Sequence, residues 1–102
     1  MKSNTKTMIV LALTLFFAGN ATASDINAGR DIYRRHCLQC HGANGAPNMA
    51  GAPDFSRGQG LMRSDKSLHQ RIKTGKNACP GYFGILKDQE ILDVVAYIRT
   101  LF

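Results

Sequence analysis

The stretch Cys37-Leu38-Gln39-Cys40-His41 constrains this chain more than any other. Two thiols stand one helical turn apart, and an imidazole follows the second directly. In an exported chain such thiols would ordinarily pair as disulfides, but C-x-x-C-H is the attachment pattern of c-type haem. Each thiol can add across one haem vinyl group, and the adjacent imidazole is then placed under the iron as proximal ligand. Two other uses of the pair fail on the rest of the sequence. A thioredoxin-like redox pair sits near a strand–helix–strand pattern, and none exists here. A structural zinc site needs a closed tetrahedral set, which Cys79, His36 and His69 do not complete at any standard spacing. The expected cofactor is one haem c, held by Cys37 and Cys40, with His41 on the iron.

The start of the chain supports an oxidising compartment. Lys2 and Lys6 precede an apolar run at 8–18 that only Thr14 interrupts, and Ala21-x-Ala23 closes the segment. That order reads as a signal peptide over 1–23, cleaved before Ser24. The apolar run is well short of the roughly 20 residues a membrane span needs, so no stable membrane anchor is expected. Residues 24–102 then form one mature domain in the periplasm. A domain of fewer than about 80 residues buries a modest core and usually needs a staple; a covalent haem supplies one. Setting aside Lys2 and Lys6 takes the formal net charge from +6 to +4. Nucleic-acid binding would call for a denser basic cluster with stacking aromatics, and it is excluded on that ground.

The remaining segments read as helices and loops. Asp25 is placed to cap a helix that runs into the cysteine pair, with Ile26, Gly29, Ile32 and Tyr33 at helical spacing. Gly29 inside that pattern marks a close approach by another backbone. Residues 42–60, rich in Gly and carrying Pro47 and Pro53, cannot form a regular element and are expected to wrap over the haem. Ser64 or Asp65 caps a short helix that Gly75 stops, with Leu68 and Ile72 on one face. Residues 87–102 make the strongest helix, acidic at its start, with an apolar stripe of Ile91, Val94, Val95, Ile98 and Leu101. No stretch alternates as a strand would. The fold class is all-α.

These features together resemble a class I (mitochondrial-like) monohaem cytochrome c over essentially all of 25–102. The resemblance rests on Gly29 and Tyr33 in the first helix, "CLQCHG", "GAPDF" at 51–55, and "DVVAYIRTL" in the last helix. It implies that the first and last helices cross, with Gly29 and Tyr33 meeting Tyr97. It also implies a proline carbonyl that accepts the N–H of the proximal imidazole and fixes its tautomer. Pro53, 12 residues after His41, holds that place better than Pro47. The family's distal ligand is a methionine before a proline, ahead of the last helix. Here that slot reads "GKNACPGYFG", so Cys79 stands where the methionine would, 38 positions after His41.

Cys79 is therefore the distal candidate and Met62 the alternative, with Met49 a third sulfur only 8 residues past His41. Water or an open coordination position also remains, because ligation by cysteine requires an available thiolate. A thiolate pushes electron density onto iron, whereas methionine raises the potential. His36 and His69 are expected on the surface or packed, not on the metal. Arg30, Arg34, Arg35, Arg71, Lys73 and Lys76 read as solvated faces, or as a basic field that steers an acidic redox partner.

The function implied is a periplasmic carrier of single electrons between redox proteins. It is expected to be monomeric and not an enzyme. The competing reading is a haem sensor, or a sulfur-compound-linked redox subunit, in which Cys79 is labile or reactive.

Overall fold

The computed structural model describes residues 22–102, so the leader expected at 1–23 lies almost wholly outside the described residues. Four α-helices follow in order: α1 (Ile26–His36), α2 (Leu38–His41), α3 (Asp65–Thr74) and α4 (Asp88–Ile98). Two 3₁₀ turns, Phe55–Arg57 and Arg99–Leu101, complete the regular structure, and an isolated bridge pairs Lys76 with Cys79. Among the described residues the architecture is helical, as expected.

Each helix begins where its capping chemistry dictates. The Asp25 carboxylate accepts from the N–H groups of Asn27 and Ala28 at 2.9 and 3.1 Å, taking up two of the orphan donors of α1. Ser64, rather than Asp65, caps α3, its Oγ accepting from the Ser67 N–H at 3.2 Å. At α4 the reach is reversed: the Glu90 carboxylate accepts the Lys87 N–H at 2.7 Å. Helix α3 stops at Gly75, whose φ of +72° suits a residue without Cβ.

Two expectations needed adjustment. The final helix is α only to Ile98; its last turn tightens to 3₁₀, a common way to satisfy terminal carbonyls. The glycine-rich 42–60 stretch is mostly irregular but winds one 3₁₀ turn at Phe55–Arg57. There the Asp54 carbonyl accepts from Arg57 and Gln59 at 3.2 and 3.0 Å.

The core lies where α1 meets α4. Ile32, Tyr33, Leu61, Val94, Tyr97 and Ile98 form one buried cluster. Gly29 is the contact point: a Cβ there would stand 2.0 Å from the Asp93 carbonyl oxygen and 3.0 Å from the Tyr97 Cβ. Only a bare backbone allows the two helices so close. Tyr33 and Tyr97 then meet edge to face with centroids 5.2 Å apart, and the Tyr33 hydroxyl donates to the Gly42 carbonyl at 2.6 Å. That bond ties α1 to the turn just past His41.

Polar ties lock the other elements to this pair. Buried Asp93 accepts from the Asp25 N–H at 2.8 Å and from Gln89 at 3.0 Å, anchoring the entry of α1 onto α4. Arg99 clamps the segment before α3: it donates to the carbonyls of Leu61 and Arg63 and to the Asp65 carboxylate. Asp88 pairs with His69 at 3.0 Å and Lys73 at 2.9 Å, joining α3 to the start of α4.

Candidate functional site

The cysteine pair lies at the junction of α1 and α2. The Cys37 N–H closes α1 on the Tyr33 carbonyl at 2.8 Å, and His41 closes back on the Cys37 carbonyl at 2.9 Å. Gly42, at φ +78°, ends the turn; a Cβ there would strike the Ala46 carbonyl at 1.9 Å. Cys37, Cys40 and His41 are thereby held on one compact double turn. All three face a cavity of about 400 Å³.

The walls of this cavity come from every helix. Tyr33 and His36 line it from α1, Leu68, Arg71 and Ile72 from α3, and Val94 and Ile98 from α4. The loop with Met49, Pro53 and Phe55 forms one side, and the segment Lys76–Pro80 with Tyr82 forms another. The glycine-rich loop therefore wraps a pocket, as its composition suggested. Most of the lining is apolar, and no Asp or Glu belongs to it.

His41 is half-buried and stacks on Phe55, with centroids 4.6 Å apart and planes 13° from parallel. Burial pulls its pKa below the usual range; the Pro53 carbonyl opposes that shift, and Arg71 adds to it. The ring is thus held neutral, the form that ligates metal. Its Nδ1 is buried without a partner at hydrogen-bond geometry. The Pro53 carbonyl acts on the ring from nearby, so the contact is a close approach and not a formed bond.

The third thiol shares the cavity. Gly75 turns the chain in a conformation where a Cβ would meet the backbone of Cys79, Pro80 and Gly81 at 2.5–2.7 Å. Lys76 and Cys79 exchange N–H to carbonyl bonds at 3.0 and 3.1 Å, with Asn77 at φ +55° inside the turn. The Tyr82 and Phe83 N–H groups then dock on the carbonyls of Ile72 and Lys73. This tight return leaves Cys79 half-buried on the cavity wall. Burial, with Cys79 and Cys40 nearby, pushes the free Cys37 thiol up to about 12. That shift belongs to the thiol and disappears once its sulfur is a thioether.

The other sulfurs divide clearly. Met62, the alternative distal candidate, is 92% exposed and does not line the cavity. Met49 is 39% exposed and does line it. Pro53 lines the cavity and Pro47 does not. His36 packs its ring against Tyr82, 5.5 Å between centroids, and His69 pairs with Asp88.

Arg71 departs from expectation. It is not a solvated helix residue, since it lines the cavity and its Nη1 is buried without a partner. The signal was present in the sequence: Leu68, Arg71 and Ile72 share a face at i, i+3 and i+4. Phe55 and Tyr82 carry no such signal, because only the folded loops bring them to the cavity.

Comparisons with known proteins show the family and the fold. The family model described as cytochrome c oxidase, cbb3-type, subunit III, matches residues 24–98. The chain belongs to this family and is a small class I c-type cytochrome. It is 36% identical to cytochrome c6 of Gracilaria tenuistipitata var. liui over 81 residues, 74% of this chain and 72% of the relative. It is 32% identical to cytochrome c6 of a Nostoc species over 98 residues, 89% of this chain and 86% of the relative. The solved cytochrome c6 of the diatom Phaeodactylum tricornutum superposes with a TM-score of 0.65 at 33% identity, covering 76% of this chain and 93% of that one.

Membership in the c-type cytochromes implies a covalently bound haem c and a role in electron transfer. The residues present fit that group. The cytochrome offers a paired-thiol turn, a half-buried neutral imidazole whose Nδ1 has no partner, a mostly apolar slot, and a half-buried arginine, Arg71, whose Nη1 has none. Among the described residues no helix is long and apolar enough to cross a membrane.

Proposed function

We propose that this cytochrome is a periplasmic monohaem carrier of single electrons, with 1–23 removed on export and 24–102 as the mature domain. Cys37 and Cys40 hold the haem as thioethers, His41 is the proximal ligand, and Cys79 is the distal ligand. The observation that carries the reading is that His41 and Cys79 line the same cavity, beside the cysteine pair. When bound, haem c supplies an iron that alternates between Fe(III) and Fe(II).

The protein's own residues set the conditions for that exchange. Burial keeps the His41 imidazole neutral and available through Nε2, while Nδ1 is left to approach the Pro53 carbonyl. Phe55, stacked on the imidazole, restricts its rotation. The Lys76–Cys79 turn holds the sulfur in a fixed frame, which keeps the change in geometry between oxidation states small. A thiolate in that position would hold the potential below that of a methionine-ligated relative. Met49, also on the wall, is the competing sulfur. Around the cavity stand Arg63 and Lys76, both exposed, a basic rim suited to an acidic docking face on a redox protein. A monomer suffices for that role.

The test is spectroscopic and uses the haem-loaded protein exported to the periplasm. Pyridine haemochrome and intact mass would establish one haem attached through two thioethers. The oxidised protein should show the long-wavelength sulfur-to-iron charge-transfer band of a thiolate, and Cys79→Ala should abolish it while Met49→Ala leaves it. A wild-type band in Cys79→Ala removes Cys79 from the iron. Rapid carbon monoxide binding by the reduced protein would favour instead the sensor or catalytic reading with a labile Cys79.

A further inference from the structure

Among the described residues Asp93 is the buried charged one, 6% exposed, at the point where α4 receives α1. Its carboxylate accepts from the Asp25 N–H at 2.8 Å and from the Gln89 side chain at 3.0 Å, both on Oδ1. Both donors are neutral. No basic side chain among the described residues pairs with it: Lys73 and His69 go to Asp88, Arg99 goes to Asp65, and Arg30, beside Gly29 on α1, lies over the Tyr97 ring. A carboxylate taken out of water needs a countercharge or a full set of donors. Two neutral donors on one oxygen fall short of both. The nearest place a cation could arise is Ser24. Its nitrogen is three bonds from the Asp25 nitrogen, so it stands within about 6.5 Å of Asp93 Oδ1. In the unprocessed chain that nitrogen is a neutral amide.

On the reading that 1–23 is removed on export, we propose that Asp93 is the receptor for the α-ammonium of Ser24, so that leader removal completes the docking of α1 on α4. Hydrolysis adds water across the Ala23–Ser24 amide. The new carboxylate departs with the leader, and the new amine stays and takes up a proton, since an α-amine is ordinarily charged below about pH 8. The ammonium brings a positive charge and three donors. Both existing donors occupy Oδ1, which leaves Oδ2 to receive it. The positive end of the α1 dipole opposes a cation at this entry, and the Asp25 carboxylate offsets it by capping that end through Asn27 and Ala28. The consequence reaches the cavity, whose walls include Tyr33 from α1 and Val94 and Ile98 from α4. The precursor, without the charge, holds α1 less firmly, and the crossing at Gly29 is secured only after export.

The experiment uses the exported, haem-loaded protein and begins with its intact mass. A chain that keeps its leader, or starts elsewhere than at Ser24, overturns the processing reading and the proposal with it. With Ser24 first, three forms are compared by chemical unfolding at about pH 6.5: unmodified, acetylated on the α-amine, and extended by Gly-Gly ahead of Ser24. Acetylation at that pH favours the α-amine over lysine, whose ordinary pKa is far higher, and peptide mapping verifies the site. Acetylation and extension should each lower the folded-to-unfolded ratio about fivefold, the scale of a partly exposed ion pair. In Asp93→Asn, which keeps an oxygen for the Asp25 N–H, each should change the ratio less than about twofold. Acetylated protein as stable as the unmodified form overturns the proposal. So does an equal loss in Asp93→Asn, since the cause would then be steric. Acetylating the extended form supplies a control that does not require Asp93→Asn to fold. Its ammonium is already displaced, so nothing further should be lost, and a second fivefold loss there also overturns the proposal.

Discussion

Replacing Gly29 by alanine tests the helix crossing on which the pocket depends. In an isolated helix the change would help, because alanine is favoured over glycine by about 1 kcal/mol. In this fold the new Cβ would lie 2.0 Å from the Asp93 carbonyl oxygen. The obstacle is backbone, so no rotamer change relieves it, and α1 must move off α4 by about 1.4 Å to reach ordinary contact. That displacement loosens the Tyr33–Tyr97 pair, worth about 0.5–1.5 kcal/mol. It also lengthens the buried Tyr33–Gly42 bond, at about 1 kcal/mol, and overpacking itself costs about 1–3 kcal/mol. Against the propensity gain, the net loss is about 1.5–4.5 kcal/mol. For a domain of this size that is a fall in Tm of roughly 6–36 °C. The assay is thermal unfolding of the oxidised, haem-loaded protein by far-ultraviolet circular dichroism, with Gly51→Ala as control. Gly51 has φ +83° and no protein atom near its would-be Cβ, so it carries backbone strain of about 1–2 kcal/mol plus whatever contact the cavity's occupant makes, but leaves the α1–α4 crossing untouched. A Gly29→Ala protein as stable as wild type, or more so, would mean that propensity alone operates and that the crossing is not as close as described.

Two further outcomes probe the distal loop and the surface. Gly75→Ala forces a Cβ into the backbone of Cys79–Gly81 at 2.5–2.7 Å and into a positive φ, so the Cys79 turn must shift. The charge-transfer band and potential should change with folding largely retained; an unaltered spectrum would show that Cys79 is not bound through this turn. The Asp88 carboxyl lies below the usual carboxylate range because Lys73 hydrogen-bonds it, with His69 adding to the effect. Its folded pKa is depressed, so its stabilisation is complete above the unfolded value of 3.8 and is lost as pH falls through the folded one. The stability gap between wild type and Asp88→Asn in chemical unfolding should therefore shrink steadily below that pH. The gap should be small throughout, because the pair is exposed and screened. A gap that grows on acidification would contradict this assignment.

Much of the molecule was legible in the sequence because local chemistry encodes it. The spacing of Cys37, Cys40 and His41 is a one-turn relation that any helix satisfies. Asp25, Ser64 and Gly75 mark helix ends through hydrogen bonds and backbone freedom confined to a few residues. Gly29 announced a close contact, and the resemblance named its partner. The limits of the last helix were less legible, since terminal carbonyls choose between α and 3₁₀ bonding by a small margin.

What only the tertiary structure decided is which distant side chains meet. The resemblance put Cys79 first, with Met62 the alternative and Met49 a third sulfur; the folded loops turn Met62 to solvent and leave Met49 and Cys79 on the cavity wall. Arg71 carries the same charge as its neighbours on α3, yet its Nη1 alone among the described basic side-chain nitrogens outside His41 is buried without a partner. Phe55 comes to rest on His41 because the 42–60 loop folds back over the pocket. Helix position and capping are properties of short segments, and the sequence determined them. Burial, and the company a charge keeps, depend on residues far apart in the chain, so they exist only once α1, α3 and α4 have closed around the cavity.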